Sequence, residues 1–331
     1  MDLLNDRDIV QVAFQGNSCV KKVILNRPHK LNALTYEMSR DSEMSCGQLS
    51  QMMNRLEVYE NDSKVRLVIL KGNGRAFCAG GDVVALYNFM TTGHWSFGAS
   101  FFKKFSNLEY LVATYKKPLV ALIDGMVMGG GAGVSMLARF KIVTENTVFA
   151  MPAAAIGSYV GETYFLSRLP GYFGEYLGLT GARLDGAEMI ACGLATHFVR
   201  SKEKQIENGS TEKWMVDAIN SMKSSTPTGL KLFLRSIREG RRQNLEECLV
   251  LEYTVVCHVI RRTMSNDFYE GVRSKLIEKD TKPEWKPSKL ELVEEEKVDR
   301  CFERVYEDDW EPLQLSPRSN LVHENTVASK L

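Results

Sequence analysis

The sequence predicts an α/β fold of strand–turn–helix units that closes in a mostly helical C-terminal part, on three observations. The apolar run Leu119–Ile123 reads as a buried strand, and Gly129-Gly130-Gly131 then leads into residues 134–137, which have helical spacing. Residues 65–70 form a second apolar strand. Gly72-Asn73-Gly74-Arg75 and Phe77-Cys78-Ala79-Gly80-Gly81-Asp82 follow it, and 83–89 continue as a helix. From Trp214 onward the pattern is helical.

Taken in order, residues 10–14 and 20–25 read as paired strands about the hairpin signal Gln15-Gly16-Asn17-Ser18. In the helix beginning near Thr35, Leu49, Met52, Met53 and Leu56 keep an i, i+3, i+4, i+7 face. Residues 95–115 read as a long amphipathic helix with Phe101, Phe102, Phe105, Leu108, Leu111 and Val112 on its buried side, ended by Lys116-Lys117-Pro118. Residues 172–179 and the Asp185/Glu188 capping pair mark two further helices. Thr226-Pro227 supplies a capping hydroxyl and a proline at the first helical position. Leu230, Phe233, Leu234 and Ile237 then share a face, as do Leu245, Leu249, Val256 and Val259 on the next helix. Lys231, Arg235, Arg238, Arg241 and Arg242 make a basic cluster that reads as a solvated face ahead of a phosphate contact.

The two glycine turns carry the chemistry. Glycine lets the backbone approach a ligand closely, and a helix start offers unpaired N–H groups with a partial positive charge. Two such turns can aim two N–H groups at one oxygen that becomes negative during reaction. The spacing of Gly129-Gly130-Gly131 fits neither the phosphate-binding loop nor the dinucleotide fingerprint.

Together the turns resemble those of the crotonase (enoyl-CoA hydratase/isomerase) superfamily, with its F-x-A-G-x-D and G-G-G turns. The resemblance spans residues 22–286, and finer detail is similar to the 3-hydroxyisobutyryl-CoA hydrolase branch. That detail is FCAGGD, MGGGAGVS, FAMP, YFLSRLPG, LTGARLDGAEM, GLATHFV, LRSIREGR and EGVRSKLIEKDTKPEWKP. The resemblance implies a crotonase-like core of repeated ββα units. It implies oxyanion donors at the backbone N–H groups of Gly81 and Gly130. It also implies an acyl-CoA site touching Lys30, Leu31, Ala33, Ala79, Gly80, Asp82, Gly129 and Ala153. The division that follows is a core over 1–199, a shortened linker over 200–212, a helical region over 213–310 and a mobile tail over 311–331.

Departures from the family pattern bear on catalysis. The residue after Met-Pro is a glutamate in the hydrolase branch and is Ala153 here, and the segment Gly157-Ser158-Tyr159-Val160 is about two residues short where the branch carries an aspartate. Glu162 is the one acid between Met151 and Phe165, open to two readings: a substitute base, or a favourable partner for a helix start. Gly133 stands where hydratases carry their first glutamate. Residues 40–47 read as an insertion and 200–212 as the remnant of a longer helical stretch. The resemblance implies hydrolysis of the thioester of 3-hydroxyisobutyryl-CoA or a similar short acyl-CoA in valine breakdown. The alternative is a catalytically impaired acyl-CoA-binding paralogue.

The remaining bounds are mostly exclusions. With 42 basic and 41 acidic residues the net charge is +1, which supplies no field for nucleic acid or membrane surfaces. Seven cysteines without a Cys-x-x-Cys pair argue for a reducing compartment and against structural zinc, and the five histidines are too scattered for a metal site. No resident cofactor is expected, because CoA arrives with the substrate. No stretch reaches the roughly 18 apolar residues of a membrane span. Residues 1–8 resemble neither a signal peptide nor a mitochondrial leader, whereas Ser329-Lys330-Leu331 reads as a signal for the peroxisomal import receptor, so the peroxisomal matrix is the expected location.

Overall fold

A computed structural model describes residues 11–16, 19–35, 47–159, 162–201, 213–280, 282–307 and 310–318. All but Gly47 of the expected insertion at 40–47, most of the 200–212 linker and the C-terminal tripeptide lie outside these described residues.

β1 (Val12–Gln15) and β2 (Val20–Leu25) form the expected antiparallel hairpin, Val12 opposite Leu25 and Gln15 opposite Lys22. After α1 (Gln48–Asn61) the chain alternates between two sheets. β3 (Leu67–Gly72) lies in the first and β4 (Ala76–Cys78) in the second, followed by α2 (Val83–Thr92) and α3 (Ser96–Ala113). β5 (Leu119–Ile123), β6 (Met126–Met128) and α4 (Gly130–Met136) repeat the unit, and β7 (Phe140–Val143) and β8 (Val148–Ala150) repeat it again. The second of these corners is possible because Gly125 adopts φ +87°, and a Cβ there would stand 2.2 Å from the Arg75 carbonyl oxygen.

α5 (Thr163–Leu166), α6 (Phe173–Thr180), β9 (Leu184–Asp185), α7 (Gly186–Ala191) and β10 (His197–Phe198) complete the core. The larger sheet runs β1-β2-β3-β5-β7-β10 and is parallel except for its first pair; the smaller runs β4-β6-β8-β9. The Asp185/Glu188 capping box forms at α7 as the sequence predicts.

α8 (Lys213–Ser224), α9 (Pro227–Gly240), α10 (Leu245–Ile260), α11 (Asp267–Val272) and α12 (Glu295–Cys301) follow. Thr226 caps α9 through its side chain as expected. The buried face of α9 is Leu232, Phe233, Ser236 and Ile237, with Leu230 and Leu234 only half-buried, so the expected stripe is rotated. α10 shows no single apolar face: it is buried nearly all round, packed among α3, α5, α9 and α12.

The basic cluster on and just after α9 keeps the expected solvated face, with charges paired within the fold: Lys231 pairs with Glu295, Arg235 with Glu239 and Asp299, and Arg238 and Arg241 with Glu175. One further expectation changes. The tail is tied down over 310–318. Trp310 stacks on Tyr253 of α10, Leu313 is buried, and Arg318 pairs with the buried Glu60 of α1. The aromatic ring and the apolar Leu313 supply the docking contacts that the prolines and serines around them obscure.

Candidate active site

The site starts from a clamp. Leu34 N–H donates to the Gly80 carbonyl (2.7 Å) and Asp82 N–H to the Leu34 carbonyl (2.8 Å), a single parallel bridge between Leu34 and Gly81. In such a bridge the central residue turns its own N–H to the opposite side. Ala79 N–H donates to the Leu31 carbonyl (3.0 Å), so residues 31–34 lie along the 79–82 turn. Asn32 locks the segment from within: fully buried at φ +57°, its carbonyl accepts from Arg27 N–H and its amide donates to the Asn73 and Ala76 carbonyls. Asn tolerates the left-handed region better than most residues, which suits it to this knot.

The second turn comes up against the first. Gly129 adopts φ +47° ahead of α4, and Gly130 is the first residue of that helix, where the N–H has no intrahelical partner. A Cβ placed on Gly130 would lie 3.7 Å from the Gly81 nitrogen, and one on Gly80 would lie 3.4 Å from the Gly130 nitrogen. The two glycine turns therefore converge. Gly81 and Gly130 both line a small apolar cavity walled by Phe101, Phe105, Ser158 and Phe268.

The other predicted residues fall around this point rather than in it. Asp82 caps α2 by accepting Ala85 N–H (3.2 Å) and pairs with buried Arg27 (3.3 Å). Arg27 also donates to the Ala33 carbonyl (2.8 Å). Lys30 is exposed at the end of a short 3₁₀ turn, and Leu31 is half-buried at φ +51°. Ala153 is buried and opens a 3₁₀ turn that leads to Ser158 on the cavity wall.

Glu162 is 2% exposed and neither carboxylate oxygen has a hydrogen-bond partner. It does not cap α5 through its side chain. Glu252, reaching across from α10, accepts the Thr163 N–H instead. Glu109 on α3 completes a group of three buried carboxylates. Burial pushes the Glu109 carboxyl well up, with Glu252 and Glu162 adding to the effect. Burial and then Glu252 do the same to Glu162. Burial raises Glu252 to about 7 even though N–H groups of α5 stabilise its charge. Among the described residues no such group has the arrangement to hold a metal ion. Burial disfavours the charged form of all three, and carboxyls whose hold on a proton is raised in this way are competent to move protons.

These features are the framework of a crotonase-type α/β protein, and the comparisons agree. The enoyl-CoA hydratase/isomerase family matches over residues 20–208 and 203–302. The chain is 44% identical to probable 3-hydroxyisobutyryl-CoA hydrolase 3 of Arabidopsis thaliana, across 97% of this chain and 99% of that protein. It is 42% identical to 3-hydroxyisobutyryl-CoA hydrolase 1 of the same plant, across 94% and 96%. A carnitinyl-CoA dehydratase structure from Mycobacterium thermoresistibile superposes with a TM-score of 0.79 at 30% identity, across 92% of this chain and 99% of that one. The chain belongs to the enoyl-CoA hydratase/isomerase family, in its 3-hydroxyisobutyryl-CoA hydrolase branch. The first alignment runs over 384 positions against the 331 residues present here, so that relative carries residues without a counterpart in this chain.

Glu109 and Glu252 are the site-proximal residues that sequence reasoning missed. For Glu109 the one signal was an acid standing within the apolar stripe of α3; Glu252 lies on a helix buried nearly all round and gave none.

Proposed function

We propose that this protein hydrolyses the thioester of a short acyl-CoA, with 3-hydroxyisobutyryl-CoA as the favoured substrate and valine breakdown as its setting. The observation that carries the reading is the convergence of Gly81 and Gly130 on one cavity. A thioester carbonyl seated there would place its oxygen between the two N–H groups, which stabilise it most as it becomes an oxyanion. The aromatic wall of Phe101 and Phe105 suits a short acyl chain, and the 31–34 segment gives the nucleotide portion a surface that leads outward to Lys30.

A specific observation favours a second reading, the acyl-CoA-binding paralogue. The buried methyl of Ala153 stands where the branch pattern has an acid, and a methyl cannot activate water. An oxyanion hole with good binding retains about 10³ to 10⁴ over the uncatalysed rate once other groups are gone, and acid–base help adds about 10² to 10⁴. Steady-state release of CoA thiol from 3-hydroxyisobutyryl-CoA decides between the two. Release at enzymic rates supports the hydrolase; tight binding with release near background supports the paralogue.

A peroxisomal location is proposed on Ser329-Lys330-Leu331 alone. Its test is whether a fluorescent protein fused ahead of this chain enters peroxisomes and stays in the cytosol once the tripeptide is removed.

A further inference from the structure

Phe105 and Glu109 lie one turn apart on the side of α3 that meets α4. The Phe105 ring lies 3.1 Å from the position a Cβ would take on Gly130 and equally from the one on Gly133. Below it, Glu109 Oε1 lies 2.2 Å from the Gly133 Cβ position. The carboxylate thus occupies space that exists only because residue 133 has no side chain. It sits one turn along α4 from the Gly130 N–H.

Glu109 is 2% exposed, and its Oε2 has no hydrogen-bond partner. A buried carboxyl with an idle oxygen carries a desolvation cost that no contact offsets, and such a group calls for an explanation. The Glu109 carboxylate thus reaches the turn of α4 that Gly130 opens, from the neighbouring helix α3.

We infer that Glu109 is a catalytic residue of the hydrolysis, acting as general base toward the attacking water and then as general acid toward the leaving sulfur. The inference rests on the hydrolase reading above. A water between Glu109 and the thioester carbon gives a proton to the carboxylate as its oxygen bonds to that carbon. The carbonyl electron pair moves onto oxygen, facing the N–H groups of Gly81 and Gly130. Collapse breaks the C–S bond, the electron pair leaves with sulfur, and the proton on Glu109 passes to the thiolate. The products are the free acid and CoA thiol, and Glu109 returns to its carboxylate form. Glu162 from the segment before α5 and Glu252 from α10 face Glu109, with the Tyr159 hydroxyl beside those two, and burial and then the two neighbouring carboxylates oppose ionisation of Glu109. The rate therefore rises with pH as Glu109 loses its proton.

The test compares wild type, Glu109→Gln, Glu109→Asp and Glu162→Gln in CoA-thiol release across pH, with acyl-CoA affinity by calorimetry. Glu109→Gln is expected to lower kcat by about 10² to 10⁴, to leave affinity within a few-fold and to erase the rising pH limb. Glu109→Asp, which keeps the charge on a shorter arm, should be intermediate and keep the limb. Installing Ala153→Glu alongside Glu109→Gln should restore part of the rate. Hydrolysis by Glu109→Gln within threefold of wild type overturns the inference, as does loss confined to Glu162→Gln, and both leave the hydrolase reading standing. Should Glu109→Gln fail to fold, a wild-type rate in Glu109→Asp overturns it equally. A wild-type protein that binds acyl-CoA without hydrolysing it overturns both.

Discussion

Glu252, in the middle of α10, accepts the backbone N–H of Thr163 at the start of α5. A helix start normally finds its acceptor in the residue just before it; here that residue, Glu162, points its carboxylate elsewhere. The cap is tertiary, so it joins the C-terminal helices to the segment that follows Ala153. Glu252→Gln keeps an acceptor oxygen, whereas Glu252→Ala leaves a buried N–H unpaired and a void beside it. We expect Glu252→Ala to cost about 2–4 kcal/mol by urea unfolding and Glu252→Gln under about 1. Equal losses from both would show that the hydrogen bond is not what matters.

The three buried carboxyls fix the sign of a pH effect. Glu252 holds its proton to about 7 in the fold against about 4.3 in an unfolded chain, and Glu109 and Glu162 are shifted the same way. Between those values the native state binds more protons than the unfolded one, so stability falls as pH rises, by up to about 1.4 kcal/mol per pH unit for each such group. The melting temperature should accordingly decline from pH 5 to pH 8. Glu252→Gln should flatten part of that slope. A melting temperature that rises over the same window would contradict the buried cluster.

The contact between Glu109 and Gly133 predicts a coupling. Alanine at a helix interior normally gains up to about 1 kcal/mol over glycine. At 133 its methyl would meet Glu109 Oε1 at 2.2 Å and the Phe105 ring at 3.1 Å. Gly133→Ala alone should therefore destabilise by about 1–3 kcal/mol, and much of that loss should vanish in a Glu109→Ala background. Additive effects in the double-mutant cycle would mean that the helices relax apart without strain.

Legibility from sequence follows the periodicity of each element. The strand–glycine–helix turns were readable because glycine and apolar runs punctuate them, and the Phe101-to-Val112 stripe of α3 is buried as expected. Averaging over such a stripe conceals Glu109, although position 109 falls on the same face as Phe105 and Leu108. α10 defeated the stripe argument altogether, since a helix packed on every side has no face to find. The role of Asp82 was hidden for another reason: its carboxylate serves Arg27, which lies 55 residues away in sequence. Asn32 is equally opaque, because its burial depends on carbonyls contributed by the next strand pair.

At the convergence of the two turns, the absence of a side chain on Gly130 is a requirement. A methyl there would stand 3.7 Å from the Gly81 nitrogen and across the approach of any oxygen to both N–H groups. The neighbouring Phe105 ring needs to yield only a few tenths of an ångström, so folding should survive. We expect Gly130→Ala to lower CoA-thiol release by about 10² to 10³ with little change in the circular dichroism melt. Full activity in this variant would separate the hole from catalysis.

The segment after α12 supplies the last prediction. A loose tail could be altered without consequence, but Trp310 is 8% exposed, and its ring stacks on Tyr253 with centroids 6.1 Å apart and planes 15° apart. Lys103 of α3 pairs with Glu311 (2.7 Å), and Arg318 reaches Glu60 of α1. The segment therefore straps α10 to α1 and α3, the helix that carries Glu109. Trp310→Ala removes a large buried ring that the surroundings cannot fill and should cost about 3–5 kcal/mol. Lys103→Ala breaks only an exposed pair and should cost less than about 1. If the strap also holds α3 in place, Trp310→Ala will lower hydrolysis at temperatures well below its own melting point, and Lys103→Ala will not.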